Sequence, residues 1–193
     1  FLRVKKPMNN LLSKEGSTMV VKRILSSLSL NCFKASKQTL APTLYDLIIQ
    51  LKSAKITPND ILEGIVPFIT EARNNGIKCA VASISKNAPR VLELLKIADL
   101  FDYIADAALV KQPKPHPEIF LTCAEALGFE PSECIGIEDA QAGIESIHDA
   151  GMLSVGINVT VTSVKPDIVL KSTAELNFEK IKNPLKFSGF FLF

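Results

Sequence analysis

A chain of 193 residues, 47% hydrophobic and 22% charged, carries enough apolar surface for one good core and at most a small second module. A formal net charge of +2 with dispersed Lys and Arg offers no basic stripe, so a nucleic-acid partner is not expected. No apolar run approaches the roughly 20 residues of a membrane span, and Phe1-Leu-Arg-Val-Lys-Lys does not read as a signal peptide, so no membrane partner is expected either.

Four cysteines, Cys32, Cys79, Cys123 and Cys134, lie far apart within apolar runs. That placement suits reduced, buried thiols better than disulfides or a zinc site, and implies a cytoplasmic location. A start at Phe rather than Met suggests a piece of a longer gene product.

Residues 1 to about 58 read as a partial helical cap. Ser17-Thr18 can cap a helix on which Val20, Ile24 and Leu28 share a face, and a second helix runs from about Thr43 to Lys52 with Leu44, Leu47, Ile48 and Leu51 apolar. Ile56-Thr-Pro-Asn-Asp60 is turn-rich and reads as a hinge. From residue 59 to 193 the pattern becomes alternating helices and apolar strands, which predicts an α/β core built on a parallel sheet. A helix through Val66–Arg73 stops at Asn75-Gly76, and Ile77–Ala82 is a buried strand ending at Ser83. A helix follows over about Ala88–Leu95, with Pro89 tolerated in its first turn. Tyr103–Ala105 is a short strand. Proline keeps Lys111-Gln-Pro-Lys114-Pro-His-Pro117 a loop, and the helix Glu118–Leu127 stops at Gly128.

The next strand, Cys134-Ile-Gly-Ile-Glu138, delivers two adjacent carboxylates, Glu138 and Asp139, to its C-terminal end and then opens a helix that stops at Gly151. Open parallel sheets bind ligands at that edge. Adjacent acids repel unless something positive stands between them, and Mg2+ is the natural hard cation for carboxylate oxygens. A helix N-terminus whose dipole favours two acids is the plainer alternative. Leu153–Ile157 and Ile168–Leu170 supply further strands, and the apolar tail Phe187–Phe193 has no assignable partner. His148 falls three residues before a helix stop, where an imidazole suits the dipole.

Three strand ends therefore offer polar groups that could converge: Ser83 with Ser85, Lys86 and Asn87; Lys114; and Glu138 with Asp139. A hydroxyl, an ammonium and a metal-binding acid pair form a kit for gripping a phosphoryl group.

In Val81-Ala-Ser83-Ile-Ser85-Lys86-Asn87, Lys114-Pro-His-Pro-Glu-Ile-Phe120 and Ile135-Gly-Ile-Glu138-Asp139-Ala-Gln-Ala-Gly143, the chain resembles the haloacid-dehalogenase-like superfamily, and within it the beta-phosphoglucomutase group. The resemblance runs from about Thr57 to Ile181. It implies a Rossmann-like three-layer core with a small helical cap, Mg2+ as cofactor, a monomer, and phosphoryl transfer that interconverts beta-D-glucose 1-phosphate and glucose 6-phosphate through a bisphosphate. On that resemblance Ser83 hydrogen-bonds the phosphoryl group in transit and Lys114 balances its charge. Ser85, Lys86 and Asn87 hold the other phosphate, Glu138 and Asp139 hold Mg2+, and His116 has no catalytic part. A sugar-phosphate phosphatase and a non-catalytic sugar-phosphate-binding remnant are the alternatives.

One departure is large. The family's nucleophile and its general acid/base form an Asp-x-Asp behind an apolar N-terminal strand, and the 193 residues contain no Asp-x-Asp. The strand that should carry it lies in the middle of the family's sheet. Its absence predicts a gap, with two inner strands left unpaired, and hence a fragment, a mis-started gene model or a decayed copy.

Overall fold

The structure is a computed structural model that describes residues 56–185 and 190–192. The cap helices expected before residue 56 lie outside these residues.

The described chain forms five α-helices and six strands, in the order α1 (Ile65–Asn74), β1 (Cys79–Val81), α2 (Ala88–Leu95), β2 (Tyr103–Ile104), α3 (Glu118–Leu127), β3 (Cys134–Glu138), α4 (Gln141–Asp149), β4 (Leu153–Ile157), β5 (Ile168–Leu170), α5 (Phe178–Leu185) and β6 (Phe190–Leu192). Every strand expected upstream of the tail is present, with β1 and β2 shorter than expected by one or two residues at an end. The hinge stretch contains a 3-10 turn at Pro58–Asp60, where buried Asp60 accepts hydrogen bonds from the backbone N–H and the hydroxyl of Thr57. Helix α3 ends as predicted, because Gly128 takes the left-handed conformation at φ +76 that terminates a helix without a Cβ penalty.

The six strands make one parallel sheet in the order β2-β1-β6-β3-β4-β5. Strands β1 and β3 are buried at every residue, as expected for strands covered by helices on both faces. The core runs from Ile65, Phe68 and Ile69 of α1, through Ile135 and Ile137 of β3, to Ile119 and Phe120 of α3 and Ile144 and Ile147 of α4. Gly136 sets the closeness of the layers, since a Cβ there would overlap the side chain of Ile147.

The central position is where the expectation from sequence is corrected. Instead of a gap between β1 and β3, the C-terminal segment inserts as β6, parallel to both, with Phe191 opposite Cys79 on one side and Ile135 on the other. The inner edges are therefore paired, and the argument for a fragment that rested on their exposure no longer stands. A short apolar tail has no periodicity that announces its neighbours. The unpaired N–H and C=O groups of two buried strands define its place instead.

Cys79, Cys123 and Cys134 are free and buried, in line with their expected role as reduced thiols. Burial pushes each thiol up to about 12, so the reactive thiolate is nearly absent at neutral pH. With an aromatic disulfide reagent at pH 8, we expect these three to stay unmodified in the folded protein and to react fully in denaturant, as read by peptide mass spectrometry.

Candidate active site

Strand β3 ends in Glu138, a residue only 5% exposed. One carboxylate oxygen, Oε1, accepts a hydrogen bond from Lys114 Nζ at 2.7 Å. The other, Oε2, accepts from the backbone N–H groups of Asp139 at 2.9 Å and Ala140 at 3.1 Å, where the chain turns into α4. Glu138 thus receives the backbone N–H groups at the turn into α4, and the positive group that faces it is Lys114. Burial by itself would raise its carboxyl; the Lys114 ammonium, with the lysine and backbone hydrogen bonds, outweighs burial and holds it below the usual glutamate range.

Lys114 is held from several sides. Its Nζ lies 4.7 Å from the ring centroid of buried Phe120 in α3, within reach of a cation–π interaction. The preceding loop is clamped by Glu118, which accepts from the backbone N–H of Lys111 at 3.0 Å and of Gln112 at 2.7 Å. Those donors hold the Glu118 carboxyl below its ordinary value. The following loop is tied down where fully buried Ser146 of α4 donates to the His116 carbonyl at 2.8 Å. The His116 ring accepts the Glu118 backbone N–H at Nδ1. Phe120, Glu118 and Ser146 were missed in the sequence. Glu118 at the first position of a helix is a fair signal for loop capping, but nothing local marks Ser146.

The Ser83 flank is a strand-to-helix turn. Ser83 Oγ accepts the Ser85 N–H at 3.2 Å, and Ser85 Oγ accepts the Asn87 N–H at 3.3 Å. Ser85 and Lys86 are exposed, while Ser83 and Asn87 are half-buried. Register places this turn relative to the acids. Ala80 and Gly136 both pair with Leu192, so two residues further on Ala82 is level with Glu138, and Ser83 with Asp139. The two flanks stand two strand spacings apart, about 10 Å, with the end of β6 between and below them. Lys114 and Glu138 thus come together directly, Asp139 follows Glu138 in the chain, and Ser83 shares their sheet edge two strands away. Ser85, Lys86 and Asn87 form an outer rim on the Ser83 side.

Among the described residues no group of three or more His, Cys, Asp or Glu side chains could hold a metal ion. The donor set of Glu138 and Asp139 fits Mg2+ only in the manner of sites that use one or two carboxylates and fill the shell with waters and substrate phosphate.

Gly143 supports this arrangement from behind. A Cβ at this position in the first turn of α4 would overlap the Glu138 side chain, which three hydrogen bonds hold in place. Helix propensity alone predicts that Gly143→Ala stabilises by about 1 kcal/mol. We expect instead a loss of about 2 kcal/mol from overpacking, measured by urea denaturation.

A parallel α/β sheet with a lysine–carboxylate pair at its C-terminal edge carries polar groups where open α/β sheets bind their ligands. The chain belongs to the haloacid dehalogenase-like hydrolase family, whose profile matches residues 15–151. It is 41% identical over 130 residues to a Bacillus subtilis beta-phosphoglucomutase, covering 67% of this chain and 58% of that protein. It is 29% identical over 123 residues to hexitol phosphatase B of Escherichia coli K12, covering 60% of this chain and 55% of that protein. The crystal structure of a beta-phosphoglucomutase from Clostridium difficile superposes with a TM-score of 0.65 at 46% identity, covering 69% of this chain and 60% of that one. The chain therefore spans a little over half the length of each of these three relatives.

Proposed function

We propose that the chain carries the phosphate-gripping part of a beta-phosphoglucomutase-like enzyme that interconverts beta-D-glucose 1-phosphate and glucose 6-phosphate through a bisphosphate. The observation that carries this reading is the buried Lys114–Glu138 pair standing level with, and across a gap from, the Ser83 turn. In the gap, the Ser83 hydroxyl donates to a phosphoryl oxygen while Lys114 supplies a point charge that balances the group during transfer. Ser85, Lys86 and Asn87 on the rim hold the second phosphate of a bisphosphate. A trio of donors in that position is what favours a mutase. Glu138 and Asp139 would hold Mg2+, which when bound polarises the phosphoryl oxygens. No residue of the 193 is assigned as nucleophile, since there is no Asp-x-Asp.

Similarity to a hexitol phosphatase supports a second reading, a sugar-phosphate phosphatase, and the missing Asp-x-Asp supports a third, a binding protein without turnover. Incubation with beta-glucose 1-phosphate and Mg2+, followed by phosphorus NMR, separates all three. Glucose 6-phosphate as main product supports the mutase, inorganic phosphate supports the phosphatase, and saturable binding without conversion supports the third.

A further inference from the structure

Ser146 is a polar residue in an apolar place. It lies fully buried in the middle of α4, where alanine would be the better helix former and an isolated hydroxyl costs desolvation energy. A serine inside a helix commonly faces water or returns its proton to the carbonyl four residues back. Ser146 instead donates at 2.8 Å to the carbonyl of His116, 30 residues away in sequence and two residues past Lys114. That turn is short of donors of its own, because Pro113, Pro115 and Pro117 have no N–H. Within it the His116 N–H closes on the Pro113 carbonyl at 3.0 Å, and Ser146 ties the closed turn to α4. Three residues earlier, on the same face of the helix, Gly143 lies against the Glu138 side chain. One helix therefore braces both halves of the ion pair: Glu138 through Gly143, and the turn that carries Lys114 through Ser146.

We infer that Ser146 is a positioning residue that sets where the Lys114 ammonium stands, and through it how tightly the site holds a phosphate group. The second half of that inference rests on the phosphate-gripping function proposed above; the first half rests on geometry alone. Lys114 is committed on two sides, since its Nζ meets Glu138 Oε1 at 2.7 Å and stands 4.7 Å from the ring centroid of Phe120. A flexible four-carbon stem keeps both contacts only while its backbone turn stays in place. Without the Ser146 hydroxyl the His116 carbonyl loses its donor, and a shift of the turn toward water relieves the unpaired group. The ammonium then draws away from Glu138, and the point charge that would face a phosphate goes with it.

The test compares the full chain with Ser146→Ala, Ser146→Cys and Lys114→Met, and with Ile147→Val as a control that weakens the packing of the same helix while keeping its hydroxyl. The first measurement needs no phosphate: it is the rate at which an activated acetyl ester modifies Lys114 relative to exposed Lys86 under native conditions, read by peptide mass spectrometry. Loss of one buried hydrogen bond should raise that ratio about fivefold in Ser146→Ala and leave it at the parent value in Ile147→Val. Ser146→Cys should fall between, because a thiol is a weaker donor, and it carries the comparison by itself should the alanine variant not fold. The second measurement is affinity for inorganic phosphate with Mg2+ present, by titration calorimetry. It should fall about fivefold in Ser146→Ala, against about tenfold or more in Lys114→Met, and stay unchanged in Ile147→Val. A modification ratio in Ser146→Ala equal to the parent's, or one that rises as far in Ile147→Val, overturns the inference. Phosphate affinity that falls in Lys114→Met but not in Ser146→Ala overturns its second half. Faster modification in Ser146→Ala with phosphate affinity unchanged in every variant, Lys114→Met included, upholds Ser146 as the residue that positions Lys114 and overturns the phosphate-gripping function instead.

Discussion

Lys114→Met is expected to cost about 3 kcal/mol of stability and to reverse the acid limb of the stability profile. The substitution keeps most of the aliphatic stem but removes the ammonium that lies over Phe120 and leaves Glu138 buried opposite no charge. Breaking a buried ion pair from one side costs about 3–5 kcal/mol, and the lower figure applies because the Lys114 side chain is 19% exposed. In the unaltered chain the Glu138 carboxyl sits below its ordinary value, so the pair's contribution is present above the usual glutamate range. It is lost as the pH falls through the lowered value. Without Lys114, burial dominates and raises the carboxyl. Folding then takes up protons, and stability falls as pH rises through the range just above the ordinary glutamate value. Urea midpoints measured from pH 2.5 to 7 read both slopes; parallel profiles for the two proteins would refute the assigned pairing. Under the proposed function, affinity for inorganic phosphate should also drop at least tenfold, about 1.4 kcal/mol.

Phe191→Pro is expected to be larger still. Phe191 pairs with Cys79 on one side and Ile135 on the other, in the middle of a parallel sheet. Proline removes a ladder donor, and central strands exclude it for that reason. The loss leaves a buried carbonyl unsatisfied, at about 1–3 kcal/mol, in addition to a backbone penalty of about 3 kcal/mol. A domain of this size has only about 5–15 kcal/mol in total, so the variant should melt well below the parent or lose its cooperative transition. Differential scanning calorimetry checks this. An unchanged melting temperature would mean that β6 does not hold the central position in solution.

The two substitutions probe different parts of the chain, and the sequence foreshadowed them unequally. Helix stops at Gly76, Gly128 and Gly151, the run of buried strands, and the acid pair at the end of β3 were legible because each is local. A glycine that takes positive φ, an uninterrupted apolar run and a strand-to-helix turn leave their mark within a few residues. The site was half legible on the same grounds. Lys114, Ser83, Glu138 and Asp139 could be picked out because chemistry-bearing residues at successive strand ends of a βα repeat face one edge. That Glu138 would accept from three donors could not be seen, since one of those donors lies 24 residues away. The supporting roles of Ser146 and Phe120 likewise depend on contacts between elements that no spacing rule connects.

The tail shows the limit most clearly. By itself the sequence determined that the chain folds as a parallel α/β unit and which stretches form the five strands upstream of the tail, because hydrophobic period, proline and glycine act on near neighbours. Only the tertiary structure decided that residues 190–192 complete the centre of the sheet and that Lys114 closes on Glu138. Those choices are made by unpaired backbone edges and buried charge, whose partners are set by position in space and not by distance along the chain.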